Sequence, residues 1–137
     1  MNRMRSHWTM APQQHAAGYW AEFNGYDQSF GPPLRAFQIA GHVAQTPARA
    51  LAWLRWRARQ AVWQMDEPHA AAAILSWLSD RGRALDAVTY LTCGEMYVHL
   101  VSEGSTHYEF SARPVFLSSD ASNCAAALAP CDGRPSA

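Results

Sequence analysis

The chain has 137 residues, eleven basic and eleven acidic side chains, a net charge of zero and only 16% charged residues. Such a chain makes no global field that draws in nucleic acid or an acidic membrane, so electrostatic recognition has to be local. The length fits one domain, in which folding buries about two-thirds of the unfolded chain's surface. All eleven basic residues are arginine, a bias that, together with the many alanines, points to a GC-rich, bacterial coding source.

The first 18 residues show no hydrophobic period and are expected to form an N-terminal arm. "MNRMRSHWTMAPQQH" lacks the apolar run of a signal peptide, and no later stretch reaches the length of a membrane span, so a cytoplasmic protein is expected. Residues 19–117 form the expected domain. "YWAEFNGY" has the alternation of a strand and reaches the turn dipeptide Asn24-Gly25, Pro32-Pro33 blocks regular pairing, and "LRAFQIAG" alternates again from Leu34 to Gly41.

Thr46 before Pro47 is a helix start, because the hydroxyl can cap free amide hydrogens while proline's fixed φ suits the first turn. Pro68 repeats the signal. Two helices are predicted, from Pro47 to about Met65 and from Pro68 to about Ser79, with Gly82 placed to end the second. In that second helix Ala71, Ile74, Leu75 and Leu78 fall on one stripe, with Trp77 at its edge.

After Gly82 the period shortens to two. "DAVTYLT", "EMYVHLVS" and "STHYEFSA" read as three antiparallel strands separated by Cys93-Gly94 and by Ser102-Glu103-Gly104. A three-residue second turn sets His99 opposite His107 and Val98 opposite Tyr108, which places Val98 and Phe110 on one face and His99 and Glu109 on the other. Residues 118–137 are rich in Ser, Ala, Asp and Pro and read as a poorly ordered tail. The predicted order is β-β-α-α-β-β-β, an α+β fold with two helices packed on an antiparallel sheet.

Three constellations carry chemistry. His99, His107 and Glu109, brought together by that register within about 5–7 Å, are the types of ligand that hold zinc or iron(II). The plain alternative is a half-exposed sheet face with ordinary polar residues. Cys93, Cys124 and Cys131 form an odd set with no C-x-x-C pair, consistent with reduced thiols rather than a disulfide frame. No serine elbow is present, and the scattered glycines form no phosphate loop or dinucleotide fingerprint, so no cofactor is expected.

The third is "ARALAWLRWRARQAVW", which holds three tryptophans and four arginines. At 100° per residue Leu51, Leu54, Ala58, Ala61, Val62 and Met65 gather on one third of the circumference, which is the core side. Trp53, Trp56 and Trp63 lie opposite, with Arg49 among them, Arg55 and Arg59 on one flank and Arg57 on the other. If these tryptophans are neither covered by the N-terminal arm nor spent in stacking on their own arginines, the surface has the composition of an interface hot spot. The expected function is therefore a non-enzymatic binding or regulatory module, such as an inhibitor, with a protein partner held through Trp53, Trp56, Arg59, Trp63, Arg49 and Arg55. Unpaired bases of single-stranded nucleic acid are an alternative ligand, and a small metal-dependent enzyme using the His/His/Glu group is another. No membrane partner is expected.

Overall fold

A computed structural model describes residues 16–28 and 35–116. The expected arm, up to residue 15, and the expected tail over residues 118–137 lie outside the described residues. The elements are β1 (Gly18–Asp27), β2 (Arg35–Ala44), α1 (Pro47–Val62), α2 (Pro68–Ser79), α3 (Arg81–Thr92), β3 (Tyr97–Glu103) and β4 (Thr106–Val115). The fold is α+β: one four-stranded antiparallel sheet in the order β2-β1-β4-β3, with the helices packed on one of its faces.

The order is β-β-α-α-α-β-β, so the expected strand "DAVTYLT" is instead the body of a third helix. Asp80 caps it by accepting the amide hydrogen of Arg83 at 3.0 Å. Ala84, Ala87, Val88 and Leu91 then follow at helical spacing, with Ala87 and Leu91 buried. Val88, Thr89 and Tyr90 favour strands, yet the hydroxyls of Thr89 and Thr92 bond back to the carbonyls of Leu85 and Val88, as threonine does inside a helix. Gly82, expected to stop α2, lies in the first turn of α3. Cys93-Gly94 closes α3 rather than a hairpin, with Gly94 at φ +82°.

β1 runs straight through Asn24-Gly25, where no turn forms and the Phe37 ring lies against the Gly25 backbone. β1 pairs with β4 without interruption. Against β2 it shifts register after Phe23, which pairs with Ala40 while Asn24 pairs with Gln38, leaving Ile39 as a bulge.

The β3–β4 turn is Gly104-Ser105, two residues rather than three, with Glu103 opposite Thr106. Gly104 has φ +56° and no other residue of the turn has positive φ, the arrangement of a II′ hairpin, which needs glycine first. This register reverses the expected faces. Tyr97, His99 and Val101 pair with Ala112, Phe110 and Tyr108 and look toward the helices, while Val98 and Leu100 pair with Ser111 and Glu109 on the open face.

The core lies between sheet and helices. Phe110, Leu54, Ile74 and Leu91 are its largest fully buried side chains. Phe110 stacks on Phe23 with ring centroids 4.4 Å apart, and Trp77 of α2 closes over both Phe110 and His99. The buried stripe of α2 is thus Ala70, Ile74 and Trp77. That is a rotation from the expected stripe, and it turns Leu75 outward.

Candidate functional site: the outer surface of α1 and α2

Thr46 Oγ1 accepts the Arg49 amide hydrogen at 3.2 Å and Pro47 opens the helix, so α1 begins where its sequence predicts. Leu51, Leu54, Ala58 and Ala61 are buried, with Val62 and Met65 partly buried beside them. This places Trp56 and Trp63 outside: Trp56 is 49% exposed and Trp63, at the C-terminal cap, is 89% exposed. Leaving an indole in water forgoes about 2–3 kcal/mol of transfer free energy that burial gives a large apolar side chain. Arg49 and Arg59 are exposed as well.

The remaining members of the expected surface do other work. Trp53 is half-buried and stacks on His42 of β2, with centroids 5.6 Å apart and planes 8° from parallel. Arg55 donates through Nη2 to the Leu78 carbonyl at 2.6 Å, satisfying one of the free carbonyls at the end of α2. Arg57 donates to Gln60 Oε1 at 2.9 Å, while its buried Nε has no partner among the described residues. Trp53 and Arg55 therefore hold α1 in place, and Arg49, Trp56, Arg59 and Trp63 are left as the outward group.

Beside them is a feature that the periodicity of α1 alone does not disclose. Arg59 and Val62 of α1, its C-cap Trp63, and Leu75, Leu78 and Ser79 of α2 line an open cleft of about 420 Å³. Leu75 is 53% exposed. Its sequence gives no separate signal, because Ala71, Ile74, Leu75 and Leu78 also fit a single inward stripe, and it is the seating of Trp77 that rotates Leu75 outward.

The expected metal group is not assembled. His99 looks toward the helices and stacks on Trp77, with centroids 4.5 Å apart, while His107 and Glu109 lie on the open face. Among the described residues no three His, Cys, Asp or Glu side chains are placed to hold a metal ion. Instead Ser102 Oγ is 2.6 Å from His107 Nδ1, and Tyr26 donates to Glu109 Oε2 at 3.2 Å. Burial and then the neighbouring Glu109 charge push the Tyr26 hydroxyl above its ordinary pKa. On the same face Glu22 accepts from Trp20 Nε1 and Asn24 Nδ2 and lies 4.0 Å from Arg113. Burial alone would raise the Glu22 carboxyl, but these donors outweigh it and hold the pKa below the ordinary value.

His99 shares a small polar recess of about 250 Å³ with Ser76, Trp77, Asp80 and Arg83. Its Nε2 is buried with no partner among the described residues, and burial followed by the Arg83 charge lowers its pKa. The Asp80 carboxylate there is already engaged as cap of α3 and in an ion pair with Arg83 at 3.7 Å. Cys93 is exposed, with no disulfide partner among the described residues.

No protein-family model, curated protein or solved structure matches this chain. Among the described residues no helix is long and apolar enough to cross a membrane.

Proposed function

We propose that this chain is a small non-enzymatic binding protein, regulatory in role and acting in the bacterial cytoplasm, which engages a protein partner through the outer surface of α1 and α2. The observation that carries the reading is Trp63, 89% exposed at the mouth of a cleft lined by Val62, Leu75 and Leu78. Exposed large apolar side chains gathered around a concavity are the usual anchors and pockets of protein interfaces, where a few aromatic and arginine residues dominate affinity. Trp56 and Arg59 extend the patch along α1.

The test compares proteins retained from the source cell by the tagged chain and by its Trp63→Ala and Leu75→Asp variants. Both positions are exposed, so each variant should keep the wild-type melting temperature. A partner held by the wild type and lost by both variants supports the proposal. Retention of the same proteins by all three would refute it, because the cleft would then take no part in binding.

A further inference from the structure

Resting on the reading of the α1–α2 surface as a protein-binding site, we infer that its partner is an acidic amphipathic helical segment, docked with its apolar side in the cleft and its carboxylates on the arginines of α1. The first ground is charge. α1 carries Arg49, Arg55, Arg57 and Arg59 and no acidic residue along its sixteen positions, and α2 carries no Asp, Glu, Lys or Arg at all. Among the described residues none of the four arginines is in an ion pair, whereas Arg83 and Arg113 each have a carboxylate within 4.0 Å. The whole chain is neutral. Arg55 is engaged on the Leu78 carbonyl and Arg57 on Gln60, so the exposed positive charge of α1 is that of Arg49 and Arg59, and Arg59 borders the cleft itself.

The second ground is shape. The walls contributed by Val62, Leu75 and Leu78 are aliphatic and lie between two helices, which suits the leucine or phenylalanine side chain of a third helix laid along them. Trp56 and Trp63 are seven residues apart, about 10 Å along the axis, and a partner helix repeats its apolar anchors at that same interval. Arg59 stands between the two tryptophans and forms part of the cleft wall. Its planar guanidinium can take a carboxylate through two parallel hydrogen bonds. Trp63 offers a ring on which a base could stack, but the neutral chain supplies little of the phosphate neutralisation on which nucleic-acid affinity rests, and a flat bilayer surface does not enter the cleft.

The experiment selects binders from a display library of random sixteen-residue peptides, panned on the full chain and counter-selected on Trp63→Ala. A representative peptide is then synthesised and titrated against wild type, Leu75→Asp, Arg59→Glu and Arg59→Lys. The expected result is an excess of Asp and Glu over Lys and Arg in the selected peptides, with apolar residues at i, i+3 or i+4, and i+7. Affinity should fall about thirtyfold or more in Leu75→Asp, as for loss of a hot spot, and at least about tenfold in Arg59→Glu, with Arg59→Lys in between. It should also weaken as salt rises.

Peptides that require Trp63 and Leu75 but show no acidic excess, and bind Arg59→Glu as well as wild type, overturn the acidic partner while leaving protein binding in place. A selection that yields no cleft-dependent peptide overturns both. Binding of an oligouridine, or of phosphatidylglycerol vesicles, that is lost in Trp63→Ala in the absence of such peptides has the same meaning and replaces the protein by nucleic acid or membrane. Melting curves of each variant, expected to match wild type, exclude misfolding as the cause of any loss.

Discussion

Trp77→Ala should cost this domain about 4 kcal/mol, within the range of roughly 3–5 kcal/mol for removing a large aromatic from a packed core. The indole is 4% exposed, stacks on His99 and Phe110 with centroids at 4.5 and 5.7 Å, and donates to the Tyr97 hydroxyl at 2.7 Å. Alanine leaves a void against Phe110, and of the total about 1 kcal/mol is the lost hydrogen bond. Against a total stability of about 5–15 kcal/mol for a domain of this kind, that is a large fraction. At about 4–8 °C per kcal/mol, the melting temperature should drop by roughly 15–30 °C. Urea unfolding followed by circular dichroism gives the free energy directly. Trp77→Phe, which keeps most of the packing and loses the indole donor, should fall between alanine and wild type at about 1–2 kcal/mol. A Trp77→Ala loss under 1 kcal/mol with an unchanged urea slope would show that α2 is not seated through Trp77 and would undo the assignment of its faces.

Trp63→Ala is the opposite case, and its stability should stay within about 0.5 kcal/mol of wild type because the side chain is 89% exposed; a larger loss in the same urea titration would mean that Trp63 packs on the body of the protein. His99 has its pKa lowered by burial and then by Arg83, so the unfolded chain takes up the proton first as pH falls. Stability should therefore be full above about pH 6.5 and decline below it by no more than about 1.4 kcal/mol per pH unit, a slope that His99→Phe should remove; an equal slope in that variant counts against the burial of His99. Gly104→Ala should destabilise by about 1 kcal/mol through the φ of +56° alone, since the nearest atom to an added Cβ, Glu67 Oε1, is 3.6 Å away; an unchanged melting temperature would mean that the turn takes another form.

What the sequence discloses here, and what it hides, follows from how local each constraint is. The start of α1 is legible because Thr46-Pro47 is a complete local signal. Its inner stripe is legible because Leu51, Leu54 and Ala58 have no competing arrangement. α3 misleads because Val88, Thr89 and Tyr90 prefer strands by side-chain shape, and what overrides that preference is the cap of Asp80 together with burial of Ala87 and Leu91 against other elements. β3 misleads more deeply. Its aliphatic residues Val98 and Leu100 look like the core set, yet Tyr97 and His99 point inward, because Trp77 on a distant helix supplies the hydrogen bond and the stacking surface they need. The turn residues Gly104-Ser105 alone could have indicated the register, and with it the separation of His99 from His107 and Glu109.

The two large surfaces of the molecule then differ in what they have left to offer. On the open sheet face the carboxylates are already answered: Glu22 by Trp20, Asn24 and Arg113, and Glu109 by Tyr26. A ligand there must displace hydrogen bonds that the protein makes with itself, and the exchange returns little. On the helix surface the situation is reversed. Val62, Leu75 and Leu78 line a cleft, Trp63 stands almost wholly in water, and the Arg59 guanidinium has no carboxylate near it among the described residues. Covering that surface removes apolar area from water and offers a carboxylate to Arg59, which has none among the described residues. The open sheet face also exposes Val98 and Leu100, so what sets α1 and α2 apart is that their exposed apolar side chains line a cleft, beside an arginine with no carboxylate partner among the described residues.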